Sequence, residues 1–364
     1  MTCCTGDPAS RRAFLTAALG AIATACAGPT VDAAAKREVD LHRQAAAALG
    51  PIVDPHSHPG AFTRVVTGGL PLAALDEMRR ANVRCAFFAA VGDGAVIRRE
   101  PGGIRNHRDP RPGELHRSTI GQLERVRARV REGATRLVTS RRDLSLLATR
   151  AEPAALLAIE GGDPLEGRIE RVREMYDLGV RSIQIVHYRV NELGDIQTEP
   201  ARHGRLTDTG AAVAREMNRL GMVVDGAHAA RDTLRGILDA SRTPIVVSHT
   251  GPWARRPFKR HLGDDSLRDV ATKGGVIAVW PLVVSSPAPL DQFLADLRYV
   301  VSVAGIDHTG IATDMTGMST FTAIPTYTDF AAVPAALLAN GFSETDVRKL
   351  LGGNVARVMH QALG

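Results

Sequence analysis

The chain has 364 residues, 44% of them apolar, which is enough to bury one large core. Its net charge of +6 invites a nucleic-acid or anionic-surface partner, but aromatic residues make up only 4% and Arg is interspersed with Asp and Glu along most of the chain. No nucleic-acid-binding motif is present, so that class of function is set aside.

In chain order, residues 1–35 read as a signal peptide of the twin-arginine type. Ser10-Arg11-Arg12-Ala13-Phe14-Leu15 opens an apolar, Ala-rich run that ends at Ala25. A charged start, a short apolar stretch and small residues for cleavage are the marks of an export signal. Adjacent arginines point to export of a folded protein. The run is about half of the ~20 residues a bilayer span needs. Cleavage after Ala27, cleavage after Ala35 and lipid attachment at Cys26 are the alternatives it offers. The expected location is therefore periplasmic or otherwise extracytoplasmic, with membrane contact only through export or a lipid anchor at Cys26. Cys3, Cys4 and Cys26 all fall in this leader. Cys85, in "CAFFAAV", reads as a small buried apolar residue, and no disulfide is expected within the mature chain.

Residues 36–364 read as one domain. A helix is predicted over 36–49, leading into eight short apolar runs: Ile52–Asp54, Cys85–Val91, Ala154–Ile159, Ser182–Val186, Met222–Asp225, Ile245–Val247, Val276–Trp280 and Thr309–Ala312. Amphipathic patterns at 71–82, 208–221 and 265–275 fall between them. Strands alternating with helices argue for parallel βα units. Eight of them predict an α/β fold, a (β/α)8 TIM barrel. The Arg-, Pro- and Gly-rich stretch 98–117 reads as a loop excursion. Helices are expected at 329–341 and 343–353, the second capped by Ser343 with Asp346 three residues on.

The chemistry sits just beyond the predicted strands. The first is followed by His56 and His58, the third by Glu160, the fourth by His187, the fifth by His228, the sixth by His249 and the eighth by Asp314. Strand ends of a barrel converge on one face, where active sites are built. A lone histidine after a strand is usually a hydrogen-bonded core or surface residue, and an isolated Glu160 or Asp314 would read as a cap or turn residue. Six of eight ends carrying such residues, from 12 histidines in all, is too many for separate accidents. Imidazole and carboxylate ligands suit zinc or a similar divalent ion. A carboxylate such as Glu160 can bridge two ions, and a further carboxylate can carry a proton to a leaving group. The pattern therefore predicts a metallo-dependent hydrolase.

The blocks "IEGGD", "GAAVAREMNRLGMVVDGAH", "SRTPIVVSHT", "AGIDHTGIATD" and "FSETDVRKLLGGNVARVM" resemble, in order, those of the membrane (renal) dipeptidase family, zinc peptidase family M19 of the amidohydrolase-like barrels. The resemblance runs from about residue 50 to 360. It implies two zinc ions, one held by His56 and His58, the other by His228 and His249, with Glu160 between them. It implies that His187 contacts the substrate and steadies the oxyanion, and that Asp314 shuttles the proton. Arg260, in "KRHLGDD", matches the arginine that grips the substrate's terminal carboxylate; without the family it is one of several basic residues in "ARRPFKRH". The implied substrate is a dipeptide, and the family is often dimeric. Three positions depart from the family pattern: His58 stands where Asp is usual, Thr316 where the second acid of "DFDG" stands, and Asp163 where His often follows "EGG". These departures leave room for a barrel hydrolase acting on another small amide, a lactone or an ester. A non-catalytic, basic surface-binding protein that kept the barrel is the competitor from another class.

Overall fold

In a computed structural model, residues 49–58, 70–283, 286–317 and 322–364 are described. The leader, Cys26 and nearly all of the helix expected at 36–49 lie outside them. The eight expected strands are all present: β1 (Ile52–Ser57), β2 (Val83–Val91), β3 (Ala154–Glu160), β4 (Val180–Gln184), β5 (Val223–Asp225), β6 (Val246–Thr250), β7 (Val276–Val279) and β8 (Thr309–Ile311). Each pairs in parallel with the next, from β1 round to β8. The circle is completed where β1 ends: Asp314 N donates to His56 O and His58 N donates to Met315 O, both at 3.0 Å. The chain is a (β/α)8 barrel.

Period-two alternation sorts the strand residues into two packed sets. One set joins Val53, Phe87, Ala89, Leu156 and Ala158 to Val223, Val246 and Val276, each of the last three opening its strand. Val355, Val358 and Met359 of the helix Asn354–Ala362 belong to this set, so that helix packs against the strands' first residues. The other set, including Phe88, Leu157, Ile159 and Ile183, packs with the surrounding helices. Cys85 is fully buried among the first set, and burial pushes its thiol up to about 12.

Helices at Leu72–Arg80, Asp208–Leu220 and Asp264–Thr272 stand where the periodicity predicted them. The Ser343 cap also forms, its hydroxyl accepting from Asp346 N at 3.1 Å. The 98–117 stretch differs from expectation. It opens with an antiparallel hairpin, Ile97–Glu100 against Gly103–Asn106, and ends in the helix Glu114–Arg131. The turn works because Gly102 and Gly103 take φ of 95° and 132°, which side chains other than glycine rarely adopt. Its strands carry Arg98, Arg99 and Arg105 instead of alternating apolar residues, so the hydrophobic pattern gave no sign of them.

Candidate metal centre

Parallel strands deliver their last residues to one rim, and this rim is where the singled-out side chains meet. His56, His58, Glu160, His187, His228, His249, Arg260 and Asp314 are all buried, none more than 7% exposed. Glu160 is the hub. Its Oε1 lies 3.3 Å from the Nε2 atoms of His56, His228 and His249. Its Oε2 lies 3.5 Å from His58 Nε2 and 3.3 Å from His187 Nε2. Asp314 Oδ1 stands 3.8 Å from His56 Nε2 and 3.4 Å from His58 Nε2.

This crowd does not satisfy itself by hydrogen bonding. His228 Nε2 and His249 Nε2 face each other at 2.9 Å, where one must be a bare acceptor. His56 Nε2, Glu160 Oε2 and His228 Nδ1 have no hydrogen-bond partner among the described residues. Buried polar atoms left in that condition are costly unless something else engages them. Two groups have ligand atoms within 4.8 Å of one another: His56, His58 and Glu160, and Glu160, His228 and His249. The donor set, neutral imidazole plus a shared carboxylate, fits divalent transition ions.

Backbone strain marks the same rim. His228 and Asp314 adopt left-handed φ of 64° and 48°, and Thr316 63°. Such conformations cost roughly 1–3 kcal/mol each and persist only where surrounding structure holds them. At Asp314 the holding contacts are its own N–H to His56 O and the close approach of Gly317, where a Cβ would come within 2.7 Å of the His58 ring.

A supporting layer of aspartates lies behind the histidines, and the sequence reading missed it. Asp54 accepts from Thr313 N at 3.0 Å, Tyr327 Oη at 2.8 Å and His56 N at 3.3 Å, tying β1 to the end of β8. Asp225 accepts from Ala227 N at 2.9 Å and Ser248 N at 3.2 Å; the Ser248 hydroxyl sits 3.0 Å from His249 Nδ1. Asp93, just past β2, accepts from His187 Nδ1 at 2.7 Å and from Tyr188 N at 2.9 Å. The signal was available: each is an acid at the end of an apolar run, as in "VGDG" and "VVDG". Burial would pull the His187 imidazole down, but the Asp93 and Glu160 charges more than offset it and raise it above its ordinary value.

Arg260 is placed beside this cluster. Its guanidinium donates to Gln197 Oε1 and, at 3.2 Å, to His249 O, and it also bonds the Tyr188 side chain. These partners are neutral. A buried cation whose hydrogen-bond partners among the described residues are neutral is a ready receptor for a carboxylate.

A profile of the membrane dipeptidases, Peptidase family M19, matches residues 71–363. The chain belongs to that family. Over 214 residues it is 32% identical to dipeptidase aclJ of Aspergillus oryzae, a stretch covering 57% of this chain and 51% of that protein. Over 254 residues it is 28% identical to dipeptidase verJ of Clonostachys rogersoniana, covering 68% and 65%. The chain thus spans between about half and two thirds of the length of these curated relatives. Among solved structures, the fold is shared with an amidohydrolase from Pseudomonas aeruginosa, at TM-score 0.73 and 19% identity over 89% of this chain and 99% of that one. It is also shared with a metallo peptidase from Rhodobacter sphaeroides liganded with a phosphinate mimic of the dipeptide L-Ala-D-Ala, at TM-score 0.70 and 19% identity over 86% and 99%.

Two of the departures from the membrane dipeptidase pattern lie within the cluster. His58 occupies the usual Asp position and still reaches Glu160 and Asp314. The Thr316 hydroxyl donates to His58 O at 3.3 Å, so it braces the β1 end instead of adding charge. The third, Asp163, lies outside the ligand groups. It accepts from Arg189 Nη1 at 3.0 Å and Asn191 Nδ2 at 3.1 Å. Burial, then the charge of Asp93, raise its carboxyl to about 7.

Proposed function

We propose that this membrane dipeptidase family member is an exported dipeptidase that works with two divalent ions, zinc in the native protein. The observation that carries the reading is the pairing of two ligand groups on one carboxylate, Glu160, with a buried guanidinium, Arg260, beside them. His56, His58 and Glu160 would hold one ion, and Glu160, His228 and His249 the other. Ions there would polarise the scissile carbonyl and acidify the attacking water.

The remaining work falls to this chain's own side chains. Arg260 receives the substrate's terminal carboxylate, which fixes the peptide bond against the cluster. Asp93 accepts a hydrogen bond from His187 Nδ1–H and its charge favours the imidazolium, so Nε2–H can donate to the carbonyl oxygen as negative charge develops on it. Asp314, held low by the neighbouring histidines despite its burial, is ionised and can take the proton of the attacking water. It then passes that proton to the leaving nitrogen.

His58 and Thr316 favour a second reading, a hydrolase of another small amide, lactone or ester on the same barrel. Kinetics on free and carboxy-amidated forms of the same dipeptides separate the two. The dipeptidase reading expects hydrolysis of the free form and little of the amide, because only the free form gives Arg260 a charged partner. Comparable rates on both would favour the second reading.

A further inference from the structure

The hairpin Ile97–Asn106 and the segment 253–260 meet over a cavity of about 330 Å³, bordered by Ile104, Tyr188, Trp253, Phe258 and Arg260. That volume lies at the lower end of the range of ligand sites, about 300–1,000 Å³. Trp253 and Phe258 are 45% and 41% exposed, unusual for large rings in a chain with so few, and both border this one cavity. The charged groups on its rim are already engaged. Arg105 pairs with Glu199 at 3.6 Å, and Lys259 Nζ donates to Thr198 O at 3.4 Å.

Arg260 differs from those groups: it is 1% exposed, and its Nε has no hydrogen-bond partner among the described residues. Arg260 and Tyr188 also touch the metal centre. Arg260 bonds His249 O, and the Tyr188 ring lies 4.5 Å from that of His187 and 4.9 Å from that of His228. Trp280 backs this junction, its ring 5.4 Å from the Arg260 guanidinium and 6.3 Å from Phe258. One guanidinium therefore connects the ligand cluster to an aromatic-walled space.

The geometry points to this cavity as the subsite for the side chain of the substrate's carboxy-terminal residue, selecting a large apolar and preferably aromatic one. The inference rests on the dipeptidase reading. In a dipeptide that side chain and the terminal carboxylate leave the same carbon. A carboxylate on Arg260 therefore brings the side chain to the rim of the cavity. A ring placed there covers the exposed faces of Trp253 and Phe258, releasing their hydration water and stacking edge to face or offset. A charged side chain would lose water on entering this aromatic-walled space, where Arg105 is already paired with Glu199.

The test uses the full-length, metal-loaded protein as wild type, Trp253→Ala and Phe258→Ala. The readouts are kcat/KM for glycyl-phenylalanine and glycyl-alanine, and calorimetric binding of phosphinate mimics of the same two dipeptides. A thermal unfolding midpoint near that of wild type establishes that each variant is folded. Wild type should prefer the phenylalanine form by about 10-fold or more in both readouts, as hydrophobic pockets do. Each variant should lower that ratio severalfold, through KM more than kcat. An unchanged ratio in both variants, or a wild-type preference for a small or charged residue, overturns the subsite. Hydrolysis with an unchanged ratio sinks the subsite and spares the dipeptidase reading. Mimics that discriminate without any dipeptide being hydrolysed sink the dipeptidase reading and spare the subsite. Failure of the phenylalanine mimic to bind overturns the subsite.

Discussion

His56 and His58 meet Glu160 in the company of a second carboxylate, Asp314, whereas His228 and His249 meet the same Glu160 beside a cation, Arg260. All four are buried imidazoles on the same rim, and the charge of Asp314 reaches His249 as well as His56, yet His56 and His249 shift in opposite directions. Burial opposes protonation of His56, but Glu160, then Asp314 and Asp225, outweigh it and raise the imidazole to about 9. Burial and then the positive field of His56 lower His249 to about 3. Burial, Arg260 and His187 put His228 well below the usual range. The local balance of carboxylates and cations, not the residue type, decides that His56 holds a proton before metal arrives and that His228 and His249 do not.

The harshest way to break this comparison is to remove what the halves share. Glu160→Ala should strip both halves of metal and bring dipeptide hydrolysis to background, measured by metal analysis and turnover on one sample. The next change removes a carboxylate that stands nearest the first half. Asp314→Asn should lower kcat by about 10²–10⁴-fold, the range of general acid–base groups. Two metals per chain should remain; loss of one along with activity would make Asp314 a ligand.

Asp93→Asn sharpens the account from outside both halves. Loss of a partner that orients an active imidazole costs roughly 10–100-fold in activity, by analogy with histidines that ligate metals. The sign of the pH effect follows from the raised His187 value. The imidazolium is present below that value and lost above it, and removing the Asp93 charge lowers it. The alkaline limb of the rate profile should therefore move to lower pH.

The two halves should also load metal differently. A ligating imidazole must be neutral. His228 and His249 are proton-free well below neutrality, so their half should bind with little pH dependence and no proton release from them. His56 keeps its proton up to about 9 in the metal-free protein, so the other half should bind more tightly as pH rises, by up to about tenfold per unit. Calorimetry in buffers of different ionisation heat counts the protons; equal release from both halves would refute the contrast. The smallest effect is expected from His58→Asp. One extra negative charge in the first half should tighten its ion by a few fold and raise the acidic limb of kcat/KM. An unchanged stoichiometry, affinity and acidic limb would leave His58 as a turn residue.

The barrel was legible because eight apolar runs and the helices between them each bury one face, and burial writes a period into the sequence. The polar cluster was legible because a His, Glu or Asp directly after such a run has no reason to be there as packing. Arg260 was not legible from its surroundings: "ARRPFKRH" is uniformly basic, and only the family resemblance singled out one position that the fold buries completely. Asp93, Asp54 and Asp225 escaped notice because their partners come from other strands, His187 lying 94 residues beyond Asp93. The hairpin at 97–106 was hidden because its exposed strands carry arginines. The aromatic cavity joins that hairpin to a loop some 150 residues later, a proximity that no local pattern records.

The central claim is that Glu160 joins two metal sites that together hydrolyse a dipeptide. The most direct measurement is a zinc titration of chelated protein near pH 8, following bound zinc and hydrolysis of a free dipeptide together, with Glu160→Ala in parallel. The account predicts two zinc ions per chain in the wild type, full hydrolysis only as the second binds, and neither in the variant. Full hydrolysis with no bound metal, or zinc binding by Glu160→Ala that matches the wild type, would contradict it.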